Sequence, residues 1–127
     1  ISDFIRTMNS EILVPLPFAP PMKPGKYGPI YEIRIYTLRM GAAPEMIKAW
    51  EPKLPGRMKM SPLAVAGTVD LGEANRFIHI WPYASFEQRE TIRAEARKQG
   101  IWPPATGAFL LTQQNKIAFP SAFSPMQ

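Results

Sequence analysis

The chain has 127 residues, enough for one domain of about 100 residues with some chain to spare. With no cysteine there can be no disulfide scaffold, thiolate metal site or cysteine nucleophile, and a single histidine, His79, cannot make a His-rich metal cluster within one chain. A balance of 15 Lys+Arg against 10 Asp+Glu, with 46% hydrophobic residues, describes a globular chain of mildly basic charge rather than a disordered one. No apolar run reaches the roughly 18–20 residues of a membrane span and no secretory leader pattern opens the chain, which points to a soluble protein of a reducing compartment.

Fifteen prolines are the unusual count, and six of them (Pro15, Pro17, Pro20, Pro21, Pro24, Pro29) fall in the first 29 residues. Residues 15–29 therefore read as a Pro-rich connection, residues 30–118 as the folded unit and residues 119–127 as a tail. Tyr31 to Leu38 alternates and is rich in β-branched and aromatic residues, which predicts a strand. Pro44 suits the first turn of a helix with Met46, Ile47, Trp50 and Leu54 as its apolar face. Pro52 and Pro55 predict a break between Trp50 and Gly56 before the helix resumes toward Met60.

Leu63–Leu71 and Arg76–Trp81, separated by a short Gly72–Asn75 turn, read as an antiparallel hairpin. Ser85 with Gln88 three residues later matches a capping box, opening a helix that Gly100 stops. Ala108–Ala118 is a final strand, and the order β-α-β-β-α-β is the split βαβ of an α+β, ferredoxin-like fold.

The segment before the domain repeats its end. At an offset of 105, Phe4, Thr7, Ile12, Pro15, Phe18 and Pro20 meet Phe109, Thr112, Ile117, Pro120, Phe123 and Pro125. Residues 1–14 are read as the last strand of a preceding repeat or as an extension that pairs as a strand. The initial Ile fits a piece of a tandem-repeat protein.

In such a fold both helices cover one face of the sheet. Period-two alternation separates Ile33, Ile35, Ile78 and Ile80 from Glu32, Arg34, Tyr36, Phe77, His79 and Trp81. The isoleucine set is expected to face the helices. The other set carries too much aromatic area to stay exposed, so a second sheet is expected to cover it, from another chain or from a preceding repeat.

Tyr31-Glu32-Ile33-Arg34-Ile35-Tyr36-Thr37-Leu38 with Gly41, Trp50-Glu51, Leu54-Pro55, His79-Ile80-Trp81 and Tyr83-Ala84-Ser85 resembles the NIPSNAP domain family over residues 30–118. The resemblance implies a dimeric α+β barrel, formed by sheet-to-sheet pairing of two ferredoxin-like units. Pro52 is a departure that bears on the straightness of the first helix. The resemblance implies a cytoplasmic location in bacteria or a mitochondrial one in eukaryotes, and the lack of a secretory leader pattern is read as no secretion.

Glu32, Arg34, Tyr36, Arg57, His79 and Trp81 are the candidate ligand-binding residues. His79 is a candidate base, Arg34 an anion holder and Tyr36 a donor to a carbonyl. The bland readings carry more weight: Glu32 and Arg34 as a structural ion pair, His79 as a structural histidine, and Trp50 and Trp81 as core or interface anchors. No metal site, cofactor or nucleic-acid motif is indicated, and Arg89, Arg93, Arg97 and Lys98 among glutamates read as a solvated helix face.

Two functions of different class follow. The first is a binding or assembly module that dimerises through its sheet, with itself as partner. The second is a small-molecule enzyme, a cofactor-independent monooxygenase or isomerase, with a ligand pocket between the sheets.

Overall fold

The computed structural model describes residues 2–127; Ile1, the first residue of the predicted 1–14 segment, lies outside them. In chain order the elements are β1 (Ile12–Pro15), β2 (Ile30–Leu38), α1 (Ala43–Trp50), α2 (Leu54–Met58), β3 (Val65–Leu71), β4 (Arg76–Tyr83), α3 (Phe86–Lys98) and β5 (Leu110–Ala118). The strands form one sheet in the order β1-β3-β4-β2-β5, every named pair antiparallel. Removing β1 leaves the ferredoxin-like arrangement, in which the first and third strands of the βαββαβ pattern lie side by side at the centre.

Local chemistry sets the element ends. Pro44 sits in the first turn of α1, and Pro52, without an N–H, falls in the break before α2, which opens with Pro55 in its own first turn. Ser85 Oγ accepts from Gln88 N at 3.1 Å, while the Gln88 side chain reaches back to accept from Ala84 N at 2.7 Å. After α3, Gly100 takes φ of 65°, a left-handed stop that costs glycine little.

The N-terminal strand is seated by a missing side chain. Pro15 pairs with Gly67, and a Cβ on Gly67 would stand 2.3 Å from the Val14 carbonyl oxygen. Beyond β1 the chain turns inward. Leu16 N donates to Ala66 O at 2.9 Å, Leu16 is buried, and Phe18 packs against the core. The tail after β5 folds back on the same connection through Gly25 and Met126.

The two faces of the sheet are the reverse of the sequence expectation. Directly opposed residues in an antiparallel pair share a face, and the pairs Glu32–Trp81, Arg34–His79 and Tyr36–Phe77 lie beneath the helices. Trp50 of α1 meets Phe77 and His79 with ring centroids 4.7 Å away in each case, and Trp102 covers Trp81. The pairs Ile33–Ile80 and Ile35–Ile78, with Val65 beside Ile80, form the open face and are only half-buried. Aromatic bulk and charge are thus what the helices cover, because α3 buries only Ala96 and brings arginines to the sheet in place of an aliphatic stripe.

Candidate functional site

The residues singled out in the sequence come together, but between the sheet and the helices rather than on the open face. β2 contributes Glu32, Arg34 and Tyr36 at alternate positions, β4 contributes His79 and Trp81, and α2 contributes Arg57. A pocket made from them is therefore a sheet-to-helix pocket. The expected placement between two sheets is corrected by the helix contacts of His79, Trp81 and Glu32.

Glu32 is fully buried. Its Oε1 accepts from Arg89 at 2.6 Å and from Arg34 at 3.3 Å, while Arg93 approaches Oε2 only to 3.7 Å. Burial pushes the Glu32 carboxyl up, but the Arg89 hydrogen bond and the charges of Arg34, Arg93 and Arg89 outweigh it and hold the carboxyl below the usual range. Arg34 also donates from Nε to the Tyr36 hydroxyl at 3.0 Å, and burial raises the Tyr36 phenol above its ordinary value, so Tyr36 stays protonated. Arg89 and Arg93, read in the sequence as a solvated face, are thus part of the site. The signal was their spacing of four residues in line with Ala96, which puts all three on one stripe of α3.

Arg57 is a second anchor. It donates to Ser61 Oγ at 2.6 Å and to the Tyr83 hydroxyl at 2.9 Å, and its guanidinium lies 4.3 Å from the centre of the Trp81 ring. Burial depresses its pKa, though an arginine stays charged throughout the neutral range.

His79 is buried among Tyr36, Trp50, Phe77 and Trp81. Its Nδ1 accepts from Trp81 Nε1 at 2.6 Å, which leaves the proton on Nε2, a buried atom without a hydrogen-bond partner among the described residues. Burial first, then the charges of Arg34, Arg93 and Arg57, hold its pKa well below the ordinary value. An imidazole that is neutral at pH 7 and has its basic nitrogen occupied is equipped to donate from Nε2 and to pack. Among the described residues no three His, Asp or Glu side chains are grouped to hold a metal ion, and no helix is long and apolar enough to cross a membrane.

Taken together, the sheet order, the helices covering one face and the Glu32–Arg34–Tyr36 and His79–Trp81 strands define an α+β protein of ferredoxin-like architecture. The NIPSNAP family profile matches residues 31–125, and the chain belongs to the NIPSNAP family. It is 28% identical over 123 residues to the NipSnap homolog of Dictyostelium discoideum, covering 91% of this chain and 55% of that protein. It is 26% identical to NipSnap homolog 2 of Mus musculus, covering 99% of this chain and 46% of that protein. The chain spans about half the length of the curated relatives it matches.

Among solved structures, a NIPSNAP family protein with unknown function from Agrobacterium tumefaciens superposes with a TM-score of 0.71 at 29% identity, over 80% of this chain and 96% of that one. A NIPSNAP-like domain protein from Burkholderia xenovorans gives 0.67 at 30% identity, over 76% and 88%.

Proposed function

We propose that the chain is a binding and assembly module whose open sheet face packs on the sheet of a second copy of the same fold. The observation that carries this is the aliphatic block made by Ile33, Ile35, Ile78, Ile80 and Val65, aligned in register and only half-buried. A groove of about 220 Å³ runs over it between Tyr31, Ile33, Val65 and Ile80 on one side and Ala118 and Phe119 on the other. A contiguous apolar face of this kind marks an interaction surface. A second sheet of matching twist suits it, since sheets pack face to face through aliphatic side chains.

The repeat supplies the occupant's identity. β1, whose sequence recurs at the end of β5, already sits on the β3 edge with Leu16 buried and Phe18 packed on the core. The counterpart of Phe18 in the repeat, Phe123, is by contrast 91% exposed. In this proposal a β5-like strand and its Phe-bearing tail belong on the β3 edge of a neighbouring unit, and residues 1–14 are the terminal strand of such a unit. The partner is then another NIPSNAP unit, whether a second chain or a tandem repeat, in the cytoplasm or in mitochondria according to the source.

Placing a charge in the block by Ile80→Asp should halve the mass measured by light scattering on a sizing column, with the circular dichroism of sheet and helix retained. An unchanged mass in that folded variant rejects the proposal.

A further inference from the structure

The buried polar cluster carries more positive charge than an ion pair needs. One carboxylate, Glu32, faces Arg34, Arg89 and Arg93, and Arg57 adds a fourth guanidinium within electrostatic reach. Among the described residues the only other acid paired with these arginines is Glu90, an exposed side chain that touches Arg89. A structural role for Glu32 is fulfilled by Arg89 and Arg34. Arg93 is then left with its guanidinium 3.7 Å from Oε2, too far for a hydrogen bond, while burial and the neighbouring Arg34 both depress its pKa. Like charges held together in a half-buried setting are costly unless something negative joins them.

The cluster is open on one side. Asn115 pairs directly with Arg34 and Gln113 with Tyr36, so their side chains belong to the same face of the sheet, and both residues are exposed. Arg93 approaches Glu32 from α3 and keeps a quarter of its side-chain surface in solvent. Amides, guanidiniums and the Tyr36 hydroxyl, which accepts from Arg34 and still has its own proton to give, make a wall of donors. A planar guanidinium flanked by amides matches the geometry of a carboxylate or phosphate group.

From this geometry we infer that the charged sheet surface beside α3 binds the oxyanionic head group of a small molecule, a carboxylate or a phosphate monoester, with Arg93 and Arg34 as its principal contacts and Asn115, paired with Arg34 on the exposed strand β5, at its edge. The inference does not depend on sheet-to-sheet assembly, since these residues lie on the helix side of the sheet.

The test titrates inorganic phosphate and, separately, succinate into the purified chain at constant ionic strength with chloride as the blank. Amide and tryptophan indole signals are followed by NMR, together with the thermal midpoint. Saturable shifts at Asn115 and on α3 are expected with at least one probe, and the tighter probe identifies the head group. Arg93→Gln should weaken binding about ten-fold or more, as loss of a charge-assisted hydrogen bond does. Arg97→Gln, on the exposed side of the same helix, should leave it unchanged. Asn115→Asp, a change at an exposed strand position that cannot unfold the core, should weaken it by repulsion. Absence of saturation with both probes overturns the inference. So does binding that survives both Arg93→Gln and Asn115→Asp, or that Arg97→Gln weakens equally. Mass in solution, measured on the same samples, reports separately on assembly.

Discussion

Trp81 donates from Nε1 to Nδ1 of His79 across 2.6 Å, two residues apart on one strand and both buried beneath the helices. That bond fixes the imidazole as its Nε2–H tautomer and ties the aromatic core to the charged cluster, since Trp81 is also the ring on which Arg57 rests. Trp81→Phe keeps most of the apolar bulk but removes the donor, leaving a buried acceptor unpaired. A loss of about 1–3 kcal/mol in urea unfolding is expected. Nitrogen NMR of the wild type should show the proton on Nε2, and an Nδ1–H signal would contradict the assignment.

The same histidine gives stability a definite pH dependence. Its folded pKa lies well below the unfolded value of about 6.5, so as pH falls past that point the unfolded chain takes up a proton that the folded chain refuses. Stability is therefore complete above the unfolded pKa and declines with acidification from about pH 6.5 downward, until the folded pKa is reached. Unfolding free energies of wild type and His79→Phe measured between neutrality and mild acid should show a clearly shallower slope in the variant. Parallel curves would remove His79 as the source.

Glu32 acts at lower pH. Its folded pKa is depressed, so its contribution is present above the unfolded carboxylate value of about 4.3 and is lost as pH drops through the folded pKa. Glu32→Gln keeps the shape and leaves Arg34, Arg89 and Arg93 without their counter-charge. About 3–5 kcal/mol should be lost at neutral pH, as when one partner of a buried pair is removed, with a weaker further dependence on acid. Chemical denaturation at neutral and acidic pH measures both.

Arg57 should tolerate no exchange for lysine. Its fork spans Ser61 and Tyr83 while its plane lies on Trp81, and an ammonium can reproduce one bond but neither the fork nor the stacking. Arg57→Lys is expected to cost about 1.5–3 kcal/mol, the range of a hydrogen bond to a charged group. A thermal midpoint within error of wild type would contradict this.

β1 can be dislodged without touching the core. Gly67→Ala places a methyl group against the Val14 carbonyl, where the backbone must shift, at a cost of about 1–3 kcal/mol. Hydrogen exchange should then show the Leu16 amide, bonded to Ala66 O, losing protection while the β2 and β4 amides keep theirs.

The order of elements was legible because each boundary has its own chemistry: Pro52 and Pro55 for the broken helix, Ser85 with Gln88 for the start of α3, Gly100 for its end. Which face the helices cover was not. Alternation divides Ile33 and Ile35 from Glu32, Arg34 and Tyr36, yet it does not say which set lies under a helix. The rule that aliphatic residues go inside selects the isoleucines. The deciding signal lay in α3, whose Glu- and Arg-rich sequence offers only Ile92 and Ala96 as an apolar stripe and so suits a charged sheet face opposite. The candidate residues were found as a set because they share strand parity, but Arg89 and Arg93 were passed over, since a helix rich in both signs of charge resembles a solvated surface until its stripe is aligned with Ala96.

The central claim, that the aliphatic open face packs on a second copy of this fold, is tested most directly by sedimentation equilibrium of the wild-type chain over about 1–100 µM, where a reversible dimer changes its population. The account predicts a mass approaching twice the 14.3 kDa of the single chain as concentration rises. A mass that stays at 14.3 kDa throughout would contradict it.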